Sequence, residues 1–299
     1  MTKIVVIPDM HLQSRLILPE VERVTRNKQV DMYLFLGDYF DQWGVSDNRE
    51  LIEKEVKNII DFSKNHPCKF LLGNHDIPYL TTELEHYSAK NPSIVMTIQK
   101  ALTKVGVSLA YEDGDYLFSH AGLVNGQITE LDTVTIDDSN FDIYLSYLND
   151  IQHTVSKSSG GDSPIPSLVW ARPEDSYMLH NSNYRYQVMG HTPMKRITTD
   201  TDDNGREMIY TDTFSLLREE VMLDHKFYIE YTPYGDGSLL YIDTKTNKTE
   251  TLSTNWQREG IMKSRYNYFY EPEIANILFN HQKDKIIELF KRLLGSSGE

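Results

Sequence analysis

Five short apolar runs in this chain each end in a polar cluster built from Asp, His, Asn and Gly. Residues 3–8 lead into Asp9-Met10-His11, residues 32–36 into Gly37-Asp38-Tyr39-Phe40-Asp41, and residues 69–72 into Gly73-Asn74-His75-Asp76. Further on, residues 116–118 lead into Ser119-His120-Ala121-Gly122, and residues 186–189 into Gly190-His191-Thr192-Pro193. A short apolar run bounded by turn residues reads as a buried strand. Each cluster therefore sits at the carboxyl end of a strand, where sheets with helical crossovers gather their ligands.

The segments between the runs fit that reading. Residues 18–26 have the spacing of a short amphipathic helix, and Asp47 or Asn48 is placed to cap a helix running to about residue 64. Strand, helix, strand, helix, strand implies right-handed parallel crossovers. Residues 94–105 and 140–151 also read as helices, and residues 107–111 and 115–118 read as a hairpin around Glu112-Asp113-Gly114. Residues 156–167, rich in Ser, Gly, Asp and Pro, read as a mobile loop. From residue 206 the pattern turns β-rich, with strands expected at 207–210, 226–231 and 238–242. The tail holds an aromatic cluster (Tyr266, Tyr268, Phe269, Tyr270) and an amphipathic helical pattern over 271–294. The expectation is a mixed α/β (α+β) fold, a four-layer α/β/β/α sandwich over residues 1–250. Residues 251–299 then form a C-terminal aromatic and helical extension packed on it.

Composition narrows the function. Acidic residues outnumber basic ones 44 to 30, a net charge of −14, which disfavours an extended nucleic-acid partner. It leaves room for a phosphorylated substrate, because bound divalent ions outweigh the side chains around them. Cys68 is the only cysteine, which rules out an intrachain disulfide and disfavours a thiolate zinc site. No apolar run approaches the roughly 20 residues that span a bilayer, and residue 3 onward already reads as a strand rather than a secretion signal. A cytoplasmic protein without membrane contact is expected; its oligomeric state stays open.

Two divalent ions about 3.5–4 Å apart need a bridging carboxylate and mixed oxygen and nitrogen ligands. Asp9 and His11, two apart on an extended segment, can hold the first ion. Asp38 is the natural bridge, and Asn74, His120 and His191 complete the second. Singly, Asp9, Asp38 or Asp41 could each be a loop-capping acid. Their occurrence together with three strand-end histidines and Asn74 favours a metal centre.

In this order, Asp-x-His, Gly-Asp-x-x-Asp, Gly-Asn-His-Asp, a lone His and Gly-His-Thr resemble the calcineurin-like metallophosphoesterase superfamily. Ser119-His120-Ala121-Gly122-Leu123, Val169-Trp170-Ala171-Arg172 and Asp212 in Tyr210-Thr211-Asp212-Thr213 resemble one branch of it. That branch holds Ser/Thr phosphoprotein phosphatases, diadenosine tetraphosphate hydrolases and their phage and bacterial relatives. The resemblance implies two divalent metal ions, manganese first, with iron and zinc as alternatives. It also implies a metal-bridging hydroxide attacking phosphorus in line, with His75, backed by Asp41, protonating the leaving oxygen. Asn74 and Arg172 would hold phosphoryl oxygens; for Arg172, a surface salt bridge or stacking on Trp170 is the alternative. The implied activity is phosphomonoester hydrolysis, with phosphoserine or phosphothreonine proteins as one substrate class. A nucleotidase or dinucleoside polyphosphate hydrolase is the alternative reading. A phosphodiesterase or nuclease, or a scaffold without chemistry, comes after it. Gln42 stands where the phosphoprotein phosphatases usually carry Arg, Asp76 where they carry Glu, and Pro193 where the wider superfamily often has His.

Overall fold

The computed structural model describes residues 2–42, 45–81, 88–174, 181–223 and 226–262. The tail aromatics and the helical pattern over 271–294 lie outside the described residues, as do His86, His180, His225 and His281.

Two sheets carry the molecule. The first contains β1 (Lys3–Ile7), β2 (Met32–Phe35), β3 (Cys68–Leu71) and β4 (Val107–Ser108), all parallel. β12 (Leu239–Asp243) and β13 (Lys248–Leu252) extend it antiparallel, in the order β13-β12-β1-β2-β3-β4. The second runs β5-β6-β7-β9-β8, from β5 (Ala110–Asp113), β6 (Tyr116–Ser119), β7 (Tyr186–Met189), β9 (Glu207–Tyr210) and β8 (Thr198–Thr201). A separate ribbon pairs β10 (Leu216–Leu223) with β11 (Lys226–Pro233).

Alternation along the strands builds the sandwich. Successive strand side chains point to opposite faces. Ile4, Val6, Leu34, Leu36 and Leu71 of the first sheet form one buried cluster with Tyr116, Phe118, Val188 and Ile209 of the second. The intervening Val5, Ile7, Tyr33, Phe35 and Phe70 face the helices. These are α1 (Ser14–Thr25), α2 (Arg49–Asn65), α4 (Pro92–Val105), α6 (Phe141–His153) and α7 (Trp256–Met262). The short α3 (Ile77–Thr81) packs against α4 and α6, and α5 (Glu130–Thr133) against β5. The expected α/β sandwich is what forms, and no helix among the described residues is long and apolar enough to cross a membrane.

The apolar run over 107–111 is not one strand. Val107 and Ser108 pair with β3, Leu109 donates its N–H to the Asp132 carbonyl (2.9 Å), and Ala110 starts β5 in the other sheet. Alternation cannot reveal that change of partner, because both sheets bury the residues. The loop over 156–167 is pinned by its own hydrogen bonds: Gly161 donates to the Ser156 carbonyl (2.8 Å) and Ser163 to that of Val155 (3.0 Å). β13 crosses residue 250, and beyond it the buried Trp256 packs on Phe214 and donates Nε1–H to Gln13 Oε1 (3.1 Å).

Glu55 of α2 is buried and caps the start of α1, its Oε2 accepting the Ser14 N–H at 2.8 Å, while Oε1 has no partner among the described residues. Burial pushes its carboxyl up to about 7, against the Ser14 and Arg15 hydrogen bonds that oppose the shift. A carboxyl raised in the folded state binds its proton more tightly there than in the unfolded chain. Its stabilising contribution is full below the unfolded value of 4.5 and is lost as pH rises through about 7. At ~1.4 kcal/mol per unit, the loss is about 3 kcal/mol. Denaturant melts of Glu55→Gln should therefore lack most of the fall in stability that the natural chain shows between pH 5 and 7. Parallel curves for the two proteins would contradict this assignment.

Candidate active site at the strand ends

The ends of β1 and β2 are tied by backbone. Met10 and His11 donate their N–H groups to the Asp38 carbonyl (3.1 and 2.9 Å), and Leu12 donates to that of Tyr39 (3.0 Å). Asp76 adds the end of β3, accepting from the N–H groups of Asp38 (2.6 Å), Tyr39 (3.1 Å) and Gly73 (2.9 Å). Outside glycine, positive φ occurs among the described residues at His11, Leu12, Asp38, His191 and Asn247. All but Asn247 lie in these strand-end clusters. Backbone strain concentrated in this way marks a geometry that the surroundings enforce.

Two carboxylates are seated against glycines. A Cβ on Gly73 would lie 2.1 Å from Asp38 Oδ1, and one on Gly190 would lie 2.2 Å from Asp9 Oδ1. The His75 N–H holds Asp38 Oδ1 at 2.9 Å, and the His191 N–H holds both oxygens of Asp9 at 3.1 Å. Donor atoms of Asp9, His11 and Asp38 all lie within 4.8 Å of one another.

The histidines are aimed through their Nδ1 atoms. His11 Nδ1 lies 2.8 Å from the Asp41 carbonyl, and His120 Nδ1 lies 2.8 Å from that of Leu36. A carbonyl only accepts, so each Nδ1 carries a proton and each neutral ring presents an Nε2 lone pair. His11 Nε2 then faces Asp38 Oδ2 at 3.6 Å and Asp9 Oδ2 at 4.0 Å. His120 Nε2 faces Asn74 Oδ1 at 2.9 Å, His191 Nδ1 at 3.2 Å and Asp38 Oδ2 at 3.5 Å. His191 is buried, and its Nε2 has no partner among the described residues. Burial, with the positive charge of Arg172 nearby, holds the His191 ring well below its usual pKa, in the neutral form that binds metals. Lone pairs from separate strand ends thus converge on two points that share Asp38. The donors are carboxylate, amide and imidazole, with histidines oriented by carbonyls behind them, a set that fits divalent cations.

Beside this set lies a histidine–carboxylate pair. His75 Nδ1 is 2.9 Å from Asp41 Oδ2. Burial pushes Asp41 up, but His75, Ser88 and Tyr79 as donors hold its carboxyl down at about 2. Burial alone would lower His75, yet the negative Asp38 and Asp41 raise it to about 9. Arg172 reaches the same region from the segment after Trp170. Its Nη1 donates to the His191 carbonyl (3.1 Å) and its Nε to Ser159 Oγ (3.0 Å). Trp170 packs edge-on against His191 instead. Gln42 lies in the turn after Asp41, its N–H held by Ser46 Oγ at 2.7 Å.

Every residue expected at the site is therefore at one place in the fold: Asp9, His11, Asp38, Asp41, Asn74, His75, His120, Arg172 and His191. His66 meets Glu22 at 3.1 Å on the surface. Sequence reasoning missed the polar residues behind the site, namely Asp76 as a three-amide clamp, Ser159 on Arg172, and Tyr79, Ser46 and Ser88 on Asp41. It also held no role for Asp212, which is buried, with Oδ2 accepting from Ser215 Oγ (2.6 Å) and Oδ1 unpartnered among the described residues.

A two-sheet sandwich with carboxylate, imidazole and amide donors converging at its strand ends defines a metal-dependent class of protein. The family model for the calcineurin-like phosphoesterases matches residues 2–195, and the chain belongs to that family. It is a metal-dependent phosphoric ester hydrolase. Similar solved structures include a cold-active protein-tyrosine phosphatase of a psychrophilic Shewanella, at 15% identity and TM-score 0.44, covering 85% of this chain and 81% of that one. A protein serine/threonine phosphatase from Saccharomyces cerevisiae matches at 15% identity and TM-score 0.45, covering 85% and 80%. A putative diadenosine tetraphosphatase matches at 15% identity and TM-score 0.38, covering 85% and 94%. At these scores the likenesses decide nothing about substrate. No curated protein sequence matches the chain.

Proposed function

We propose that the protein hydrolyses phosphomonoesters, with phosphoserine and phosphothreonine proteins as a substrate class, using two divalent ions of which manganese is the first choice. The observation that carries the reading is the convergence on His120 Nε2 of Asn74 Oδ1, His191 Nδ1 and Asp38 Oδ2, at 2.9–3.5 Å. Asn74 Oδ1 and Asp38 Oδ2 only accept, so they repel the bare Nε2 of His120 unless positive charge lies among them.

In this reading Asp9, His11 and Asp38 hold one ion, and Asp38, Asn74, His120 and His191 hold the other. Divalent ions bound by these residues supply the positive charge that neutralises phosphoryl oxygens and makes water acidic enough to attack. The remaining work falls to side chains. Asn74, with Oδ1 turned to His120, keeps its Nδ2 amide to donate to a phosphoryl oxygen. Arg172, held at the His191 carbonyl, brings its guanidinium charge to the same oxygens. His75, its Nδ1 on Asp41, presents Nε2 to protonate the leaving oxygen.

A panel with Mn²⁺ tests the substrate class: p-nitrophenyl phosphate, a phosphoserine peptide, bis(p-nitrophenyl) phosphate and diadenosine tetraphosphate. Turnover of the two monoesters above the others is expected. Turnover of diadenosine tetraphosphate or of the diester alone would overturn the monoester reading.

A further inference from the structure

Asp41 is wrapped more heavily than a partner for one histidine requires. Its Oδ2 faces His75 Nδ1 at 2.9 Å, while Oδ1 accepts from the Tyr79 hydroxyl at 2.5 Å, the Ser88 N–H at 3.0 Å and the Ser88 hydroxyl. Ser46 Oγ lies 3.2 Å from the same Oδ1 and 2.8 Å from Ser88 Oγ. Asp41 and Tyr79 are both fully buried. A carboxylate oxygen has about two lone-pair directions, so Oδ1 is saturated and cannot turn toward the imidazole. The Ala89 N–H lies 3.4 Å from the Tyr79 oxygen, so the phenol accepts on one side and must donate to Asp41 on the other. Burial and the negative Asp41 keep that phenol protonated far above neutral pH.

We propose that Tyr79, assisted by Ser88, is a positioning residue for phosphoester hydrolysis: by occupying Asp41 Oδ1 it leaves only Oδ2 for His75 and so aims His75 Nε2 at the leaving oxygen. The inference rests on the reading of His75 as proton donor. In the neutral ring the Nδ1 proton points at Asp41 and Nε2 is bare; in the charged ring Nε2–H is the proton that leaves. When the P–O bond breaks, its electron pair goes to the leaving oxygen, that oxygen takes the Nε2 proton, and neutral His75 keeps Nδ1–H on Asp41. The chain positions make such a device possible. Asp41 follows β2, His75 follows β3, and Tyr79 sits one helical turn further on in α3, which the Asp76 clamp fixes against the end of β2. A proton donor on a freely rotating Asp41 would sample several orientations. Here the carboxylate plane is set by donors on Oδ1, the oxygen that does not face His75.

The test is leaving-group dependence, since a proton donor matters more when the departing oxygen is basic. Phenyl phosphate releases a phenol with a pKa of about 10, and p-nitrophenyl phosphate releases a far more acidic one. Tyr79→Phe keeps the buried ring and removes only the hydroxyl. It should lower kcat on phenyl phosphate about tenfold with KM unchanged, and lower kcat on p-nitrophenyl phosphate less than about twofold, a fraction of the full general-acid effect. Ser88→Ala, which leaves the buried ring intact, should shift the same ratio in the same direction. In a His75→Asn background neither change should lower kcat further, because the group they aim is gone. Equal losses on both esters, or an undiminished loss in the His75→Asn background, would show a merely structural role and overturn the proposal. If His75→Asn itself leaves the leaving-group dependence unaltered, it is the proton-donor reading of His75 that fails.

Discussion

Asp38→Asn is expected to lower turnover of p-nitrophenyl phosphate with Mn²⁺ by at least about 10³-fold, because it removes the one anion shared by both clusters of donor atoms. Asp38 Oδ2 lies 3.6 Å from His11 Nε2 and 3.5 Å from His120 Nε2, and its Oδ1 is held by the His75 N–H at 2.9 Å. An amide of the same shape carries no charge and would present either a weaker acceptor or an N–H to those lone pairs. Metal content after dialysis should fall together with the rate, while the far-UV circular dichroism stays that of the natural chain. Equal rates for the two proteins would remove the metal centre from the account.

His75→Asn should produce the second-largest loss, about 10²–10³-fold in kcat on phenyl phosphate, with metal content unchanged. The substitution leaves Asp9, His11 and the His120 group in place and removes only the imidazole held by Asp41 at 2.9 Å. KM should move less than about twofold, because a proton given up only as the bond breaks contributes to the transition state and not to substrate binding. A loss carried mainly by KM would mean that His75 binds substrate rather than protonating the leaving group.

The site was largely legible in the sequence for a physical reason. A strand that is buried on both faces must be apolar throughout, so the first polar residues after it mark its end and are the residues a sheet presents together. Asp9, Asp38, Asn74, His120 and His191 all obey that rule, and the structure brings them within reach of one another. The helices were legible in the same way, because apolar spacing marks their buried faces and Asn48 caps the start of α2.

Other elements left no such mark. β8 is Thr-Thr-Asp-Thr and mostly exposed, and β13 exposes four of its five residues; edge strands like these are held by pairing, not by apolar alternation. The split of residues 107–111 between two sheets depends on which neighbours the fold delivers. Trp256 is a single buried ring without a periodic partner in sequence, so nothing marks its packing on Phe214. The hydroxyls of Tyr79, Ser46 and Ser88 were invisible because an isolated Ser or Tyr carries no pattern; only the fold shows that they point at one carboxylate oxygen.

Anomalous diffraction from crystals soaked in Mn²⁺ tests the central claim most directly. Two peaks are expected, one bounded by Asp9, His11 and Asp38, the other by Asp38, Asn74, His120 and His191, with Asp38 touching both. A fully soaked crystal with no peak among these residues, or with its manganese held elsewhere on the chain, would contradict the account.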